Sequence, residues 1–388
     1  EAAKSGIRRV VVPGENAMEA AVIPGITVWG VNCLNDLLAA LNHPELETEK
    51  VYQPRIRAED LLREGTGQDT GDFREVAGQE NAKRGAEIAA AGFHNLLMIG
   101  PPGVGKSMVA GGIQGIMRRV TLKESLEVTG IFSVAGLLPP GQALITRRPF
   151  YAPHHTVTQA ALIGGGSGIP RPGMVSLAHR GVLFLDELPE FRKNVLDGMR
   201  QPMEERKVQI ARSAGMVTYP SDFILVAAMN PCPCGYYPDR NKCRCTQPQI
   251  EKYLGKISGP ILDRIDLCVE LHPVDILHLQ KTKTEKSSED MKRQIRHARE
   301  RQAERFAGTD CRFNGDIRSA QVEEYCPLGE EGQKVMEQLY RTLQLSARVY
   351  HRILKTARTI ADLEDREEIT GEHLLEAACY RPSETYWN

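Results

Sequence analysis

The sequence predicts an α/β chain: a mainly parallel sheet with helices on both faces, followed by a helical second domain. Three observations predict it. Short apolar runs, Asn95–Ile99, Gly181–Leu185 and Phe223–Ala228, alternate with helical stretches from Asp72 onward, the pattern of a buried parallel sheet. A glycine-rich loop follows the first run and opens a helix. Beyond Pro273 the strands stop and Met291–Phe306, Gly332–Leu345 and Ala347–Leu363 read as helices.

The remaining elements follow in order. Residues 1–43 hold two β-rich runs, Arg8–Val12 and Ile26–Val31, and a short amphipathic helix, Asn35–Leu41. Two strands and a helix bury little core, so this reads as the end of a larger domain. Residues 44–71 are polar and read as a linker. The α/β core spans 72–273 and the helical domain 274–388, with Gln280–Asp290 as a charged loop. The Gly/Pro-rich segment 136–173 is too irregular for a core helix and reads as an insertion. Val208–Ile210 and Met216–Tyr219 flank Ser213-Ala-Gly215 as a hairpin. The chain starts at Glu1 rather than Met, which predicts a preceding segment.

Composition bounds the function. A length of 388 residues suits two or three domains, 41% hydrophobic and 26% charged content is ordinary for a globular chain, and the net charge of −1 carries no global basic field. No apolar run is long enough to span a bilayer, so no membrane partner is expected. Five of the nine cysteines are scattered and four are clustered, which reads as a reducing cytoplasm with a metal candidate rather than a disulfide framework.

Gly100-Pro-Pro-Gly-Val-Gly-Lys-Ser107 fits a phosphate-cradling loop. Pro102, Gly103, Val104, Gly105, Lys106, Ser107 and Met108 form the cradle, and all but Pro102 offer a backbone N–H, aided by the helix N-terminus. Lys106 suits the β- and γ-phosphates of ATP and Ser107 suits Mg²⁺. Gly181-Val-Leu-Phe-Leu-Asp-Glu187 ends a strand in two carboxylates: Asp186 for the Mg²⁺ shell and Glu187 to polarise water. Asn230, after the third strand, suits a polar sensor beside the γ-phosphate, or caps a turn before Pro231. Arg264 lies among acidic residues and suits an arginine given in trans to a neighbour's phosphate, or a surface pair with Asp263.

With these elements in this order the chain resembles the AAA+ ATPases, and within them the magnesium-chelatase-like branch and its YifB/ComM group. Val-Ala-Gly-Gln-Glu-Asn-Ala-Lys-Arg (76–84), Tyr-Ala-Pro-His-His-Thr (151–156), Leu-Ala-His-Arg-Gly-Val-Leu-Phe-Leu-Asp-Glu-Leu-Pro-Glu-Phe (177–191), Asn-Pro-Cys-Pro-Cys-Gly (230–235) and Ser-Ala-Arg-Val-Tyr-His-Arg (346–352) carry the resemblance. It implies an adenine-side pocket from Val76, Gly78 and Gln79, and a sensor arginine, Arg348 or Arg352, reaching the γ-phosphate from the helical lid. It also implies two pore-facing inserts, one within 136–173 and one the hairpin in 204–219. Ser5-Gly-Ile-Arg-Arg-Val-Val-Val-Pro13 resembles the end of the S5-like domain of Lon-type proteases, whose catalytic dyad lies upstream of that segment.

Cys232-x-Cys234 and Cys243-x-Cys245 suit a closed tetrahedral Zn²⁺ site, or four reduced thiols or labile disulfides on a loop. Arg147, Arg148, His154, His155, Arg206, Lys207 and Arg212 are the candidate DNA contacts, each of which also suits a solvated surface. The resemblance implies a homo-oligomeric, hexameric motor that translocates on DNA and moves branched junctions. Two other readings stand beside it. One is a protein-remodelling ATPase with Phe150-Tyr151 as its pore aromatic; the other is a chelatase-type motor acting through partner subunits.

Overall fold

The computed structural model describes residues 2–43, 51–54, 56–64, 71–139, 141–166, 170–212, 215–274, 286–382 and 386. The chain divides into two compact units, Glu1–Gln68 with Arg119–Arg148, and Asp69–Arg118 with Pro149–Asn388.

The first unit carries β1 (Arg9–Pro13) parallel to β2 (Thr27–Val31), and the helix Leu34–Asn42. Val51 is buried with Trp29 and Ala40, Tyr52 bridges Gly30, and Ala58–Glu64 is a helix. Described residues of the expected linker thus join this unit's core: Val51 packs with Trp29 and Ala40, and Ile56, Ala58, Leu61 and Leu62 pack with Val22. The helix Leu122–Ala135 belongs to the same unit, and Thr121 and Glu124 close its N-terminus reciprocally. Leu122 and Leu126 pack with Val22, Ala58, Ala143 and Leu144.

The second unit is built on a five-stranded parallel sheet. In chain order its strands are β3 (Leu96–Ile99), β4 (Phe150–Tyr151), β7 (Val182–Leu185), β10 (Ile224–Met229) and β11 (Leu267–Glu270), in spatial order β11-β3-β10-β7-β4. Two hairpins complete the strands: β5 (Gly164–Gly165) with β6 (Arg171–Pro172), and β8 (Lys207–Arg212) with β9 (Gly215–Pro220).

Side chains alternate across this sheet. Leu96, Met98, Val182, Phe184, Ile224, Val226 and Ala228 face one apolar cluster. That face is covered by the helices Glu80–Gly92, Lys106–Ile116, Ser288–Arg305 and Ala347–Leu363. Leu97, Ile99, Leu183, Leu185, Leu225, Ala227 and Met229 face the other cluster, which includes Cys232 and Cys243. Burial on both faces explains why these strands are continuously apolar. At Gly181 an added Cβ would stand 1.9 Å from Pro149 O, so only glycine lets β4 enter beside β7.

Two differences from the sequence reading stand out. β4 and β11 are absent from it: β4 has only two residues, and β11, Leu-Cys-Val-Glu, lacks the longer apolar run that marks β3 and β7. Segment 136–173 is not one insertion. It joins the first unit up to Arg148, then adds β4, the helix Gln159–Ile163 and the β5–β6 hairpin to the second. The expected hairpin is β8–β9, whose tip residues 213–214 lie outside the described residues, as do 280–285 of the expected charged loop.

Candidate functional site

The loop 100–107 leaves the C-terminal end of β3 and enters the helix Lys106–Ile116. Gly103 and Gly105 hold φ of +80° and +93°, and an added Cβ at either would meet open space, so the loop is bare backbone toward its concave side. Lys106 Nζ donates to Gly100 O at 2.6 Å, Pro101 O at 2.9 Å and Asn230 Oδ1 at 3.0 Å. Burial lowers its pKa, while the Asp186 and Glu187 charges oppose that shift. A phosphate entering the loop would replace the carbonyl partners with a charge-assisted one.

The C-terminal end of β7 delivers Asp186 and Glu187 to the same place. Ser107 Oγ lies 3.3 Å from Asp186 Oδ2, and Asp186 Oδ1 accepts from the Glu187 N–H at 2.9 Å. A hydroxyl and a carboxylate this close are a suitable oxygen pair for a shared Mg²⁺, which favours a few carboxylates plus phosphate oxygens. Glu187 sits in the left-handed region at φ 52°, a conformation a non-glycine residue adopts at a cost and mostly at functional sites. Its carboxylate meets His155 Nδ1 at 3.2 Å. His155 in turn stacks on His154, ring centroids 4.1 Å apart, and meets the edge of Phe191.

Gln79, at φ 56°, donates from Nε2 to His272 O at 2.6 Å and Val104 O at 3.3 Å, tying the 76–79 turn to the phosphate loop and to the end of β11. Val76 is buried, and Gly78 faces Val274 at ordinary contact distance. Met108 is exposed at the first turn of the loop's helix.

Arg264 stands at the other end of the sheet. Asn95, which precedes β3, donates from Nδ2 to Arg264 O at 2.8 Å, and Asp266 Oδ2 accepts from Asn95 N at 2.9 Å. The guanidinium reaches Glu204 at 2.7 Å and Pro260 O at 2.5 Å. Arg348 lies there too, 2.9 Å from Asp263 Oδ2, and Arg352 donates to Asp263 O at 2.9 Å. Arg348 and Arg352, expected to reach the γ-phosphate from the helical lid, are thus held at the Asp263 corner within this chain. The helix Ala347–Leu363 packs its first turns on segment 259–264, at the sheet end opposite the phosphate loop. A cavity of about 1050 Å³ opens here, lined among others by Arg206, Lys207, Arg264, Arg312, Arg318 and Arg348. Arg312 and Arg318 carried no motif by which the sequence could single them out.

Several candidate polymer contacts are placed otherwise than expected. Arg148 is 7% exposed and pairs with Glu124 at 3.1 Å, so it is part of the first unit's interior. Arg206 is held by Asp316 and lies 3.5 Å from Asp222, a buried carboxylate also paired with Arg180 and Arg312. His155 is committed to Glu187. Phe150 and Tyr151 form β4, an edge strand of the central sheet, and are not a pore loop. Arg147, His154 and Lys207 are exposed. Arg212 ends β8, and its side chain lies outside those described.

The four cysteines converge. Their Sγ atoms all lie within 4.8 Å of one another. Cys232 Sγ stands 3.4 Å from Cys234 Sγ and 3.7 Å from Cys243 Sγ, and Cys234 to Cys243 is 3.6 Å. A tetrahedral Zn²⁺ with bonds of about 2.3 Å sets its sulfurs about 3.8 Å apart, so the donor set fits. Burial works against ionisation, yet the Tyr236 and Arg244 backbone amides draw the Cys234 thiol down to about 6, ready to bind as thiolate. With four sulfurs no coordination position stays open, so the chemistry on offer is structural.

Comparison with known proteins agrees with this geometry. The family described as magnesium chelatase, subunit ChlI, matches residues 72–279, and its C-terminal counterpart matches 285–381. The chain is 41% identical over 383 residues to the uncharacterized protein YifB of Salmonella typhimurium, covering 98% of this chain and 72% of that protein. It is 39% identical over 389 residues to the competence protein ComM of Haemophilus influenzae, covering 98% and 73%. Lon protease 2 of Bacillus subtilis matches at 26% over 245 residues, 53% of this chain and 41% of that protein. The matches to YifB and ComM span nearly all of this chain and about three quarters of those relatives, and the chain belongs to the YifB/ComM group of magnesium-chelatase-like AAA+ proteins.

Proposed function

We propose that the chain is an ATP-hydrolysing motor that assembles as a homo-hexameric ring and moves along DNA, including branched junctions. The observation that carries the ATP chemistry is the convergence of Lys106, Ser107, Asp186, Glu187 and Asn230 at the C-terminal ends of β3, β7 and β10, where open parallel sheets bind ligands.

In this reading Lys106 and the backbone N–H groups of 103–108 bind the phosphates. Ser107 and Asp186 hold Mg²⁺, which when bound neutralises charge on the β- and γ-phosphate oxygens. Glu187 accepts the proton of the attacking water, and Asn230 orients that water. His155 holds the Glu187 carboxylate at a set angle. Gln79, Val76 and Gly78 border the base. Arg264 and Arg348 act on a neighbour's phosphates, since both lie at the sheet end away from the loop of their own subunit. That division of the site between subunits is the argument for a closed ring.

The polymer is proposed from the likeness to ComM, whose printed name ties it to competence, and from exposed Arg147, His154 and Lys207. The test is steady-state ATPase activity with and without added DNA, including a four-way junction. Stimulation that Lys207→Ala and Arg147→Ala together abolish supports a DNA track. No stimulation by any DNA, with ring assembly verified, refutes it and moves the reading to protein remodelling.

A further inference from the structure

The four-cysteine loop touches the phosphate loop. Gly235 holds φ of +87°, and a Cβ added there would stand 2.6 Å from Pro102 Cδ and 3.9 Å from Asn230 Cγ. The loop that presents this glycine is built by the cysteines: the Gly235 N–H donates to Cys232 O at 3.0 Å, and the Tyr237 N–H points to Cys232 Sγ at 3.4 Å. Cys232 is fully buried in the apolar cluster beneath the sheet, two residues beyond Asn230, which binds Lys106 Nζ at 3.0 Å. On the phosphate loop, by contrast, a Cβ added at Gly103 or Gly105 would meet no atom within 4 Å. One wall of the phosphate cradle is thus a surface whose shape depends on how four sulfurs, drawn from both ends of a loop, are held together.

We propose that metal bound by Cys232, Cys234, Cys243 and Cys245 braces the phosphate loop through Gly235 and Asn230, so that metal occupancy sets nucleotide affinity. This rests on the reading of 100–107 as the nucleotide site. With the sulfurs tied, Gly235 abuts Pro102 and Asn230 is fixed against Lys106. With them untied, the segment 233–245 loses its closure, and both contacts relax together.

The experiment measures zinc content by mass spectrometry and the dissociation constant of a fluorescent ATP analogue. It compares the protein as purified, after a zinc-selective chelator that is then removed, and after zinc is restored. About one zinc per chain is expected, with affinity weakened about tenfold on depletion and recovered on re-addition, the order for one charged hydrogen bond and a displaced loop. Depletion could act by unfolding, so Gly235→Ala supplies an independent arm. It leaves all four sulfurs in place, forces a side chain against Pro102, and is expected to retain zinc and the far-ultraviolet dichroism while losing affinity to a similar degree. An unchanged dissociation constant on depletion, full affinity in Gly235→Ala, or a reduced protein that takes up no zinc each overturns the brace. Zinc-loaded wild type that binds no nucleotide removes the underlying site reading instead, an outcome that needs no metal comparison and so is distinguishable.

Discussion

Replacing Arg264 by Ala in one copy of the chain and Lys106 by Ala in another, then assembling the two copies in mixed rings, tests where the arginine acts. Within one subunit the arginine's backbone is bonded to Asn95, just before β3, whereas the phosphate loop begins just after β3. Four strand residues at about 3.3 Å each separate these ends by about 13 Å, and the guanidinium is already turned to Glu204 and Pro260. An arginine supplied across an interface is worth about 10³–10⁵ in turnover, so each variant alone falls to background. In randomly mixed rings a site is whole when Lys106 survives on one side and Arg264 on the other, which occurs at about one interface in four. Co-expressed copies with different tags, purified through both, should therefore recover about a quarter of wild-type phosphate release. Recovery of nothing, with mixed assembly verified, would falsify action across the interface. Arg348→Ala should complement Lys106→Ala in the same way, because it shares the Asp263 corner with Arg264.

Three further outcomes are expected. Glu187→Gln should keep nucleotide affinity and lower phosphate release by at least about 10²; equal loss of both in a binding titration would show the carboxylate is needed for binding. Arg148→Ala should cost about 2 kcal/mol of stability by removing the guanidinium paired with the Glu124 carboxylate and leave the salt dependence of DNA affinity unchanged, whereas Lys207→Ala should lower that slope by about 1. The Asp266 carboxyl is pushed up by burial, but His94, Lys355 and Arg352 together hold it well below the ordinary range. A depressed folded pKa stabilises above the unfolded value of about 3.9 and is lost as pH falls through the folded one. Asp266→Asn should therefore destabilise by about 2 kcal/mol near neutrality. The gap to wild type should close below about pH 4, and a gap constant from pH 7 to pH 3 in urea melts would contradict this.

Much of the central site was legible in the sequence because each of its parts follows an apolar run. Lys106, Asp186, Glu187 and Asn230 all stand just beyond such runs, and in a parallel sheet every strand end of one kind lies along one rim. The cysteine cluster was legible from spacing alone, and the sulfurs do meet. What depends on packing between distant helices was not legible. Arg348 lies on a helix whose direction relative to the sheet no local pattern encodes, and it turned up with Asp263 rather than at the phosphates. His155 and Arg148 are ordinary surface residues by composition; only the entry of β4 beside β7 brings His155 to Glu187, and only the packing of Leu122–Ala135 buries Arg148 against Glu124. β4 is too short for any pattern to register, and β11 ends in Glu270 after only three apolar residues.

Asn95 ties the start of β3 with both side-chain atoms and both main-chain atoms: Nδ2 to Arg264 O, Oδ1 from Leu225 N, N to Asp266 Oδ2, and O from Asp266 N and Leu267 N. β3 is thus a stiff two-ended rod, knotted at one end and opening into the phosphate cradle at the other. Under the proposed ring, the strand that opens into the cradle is the same one whose start is hydrogen-bonded to the arginine's main chain. The shortness of the strand then matters as much as its chemistry: only four residues, Leu96–Ile99, separate the two ends.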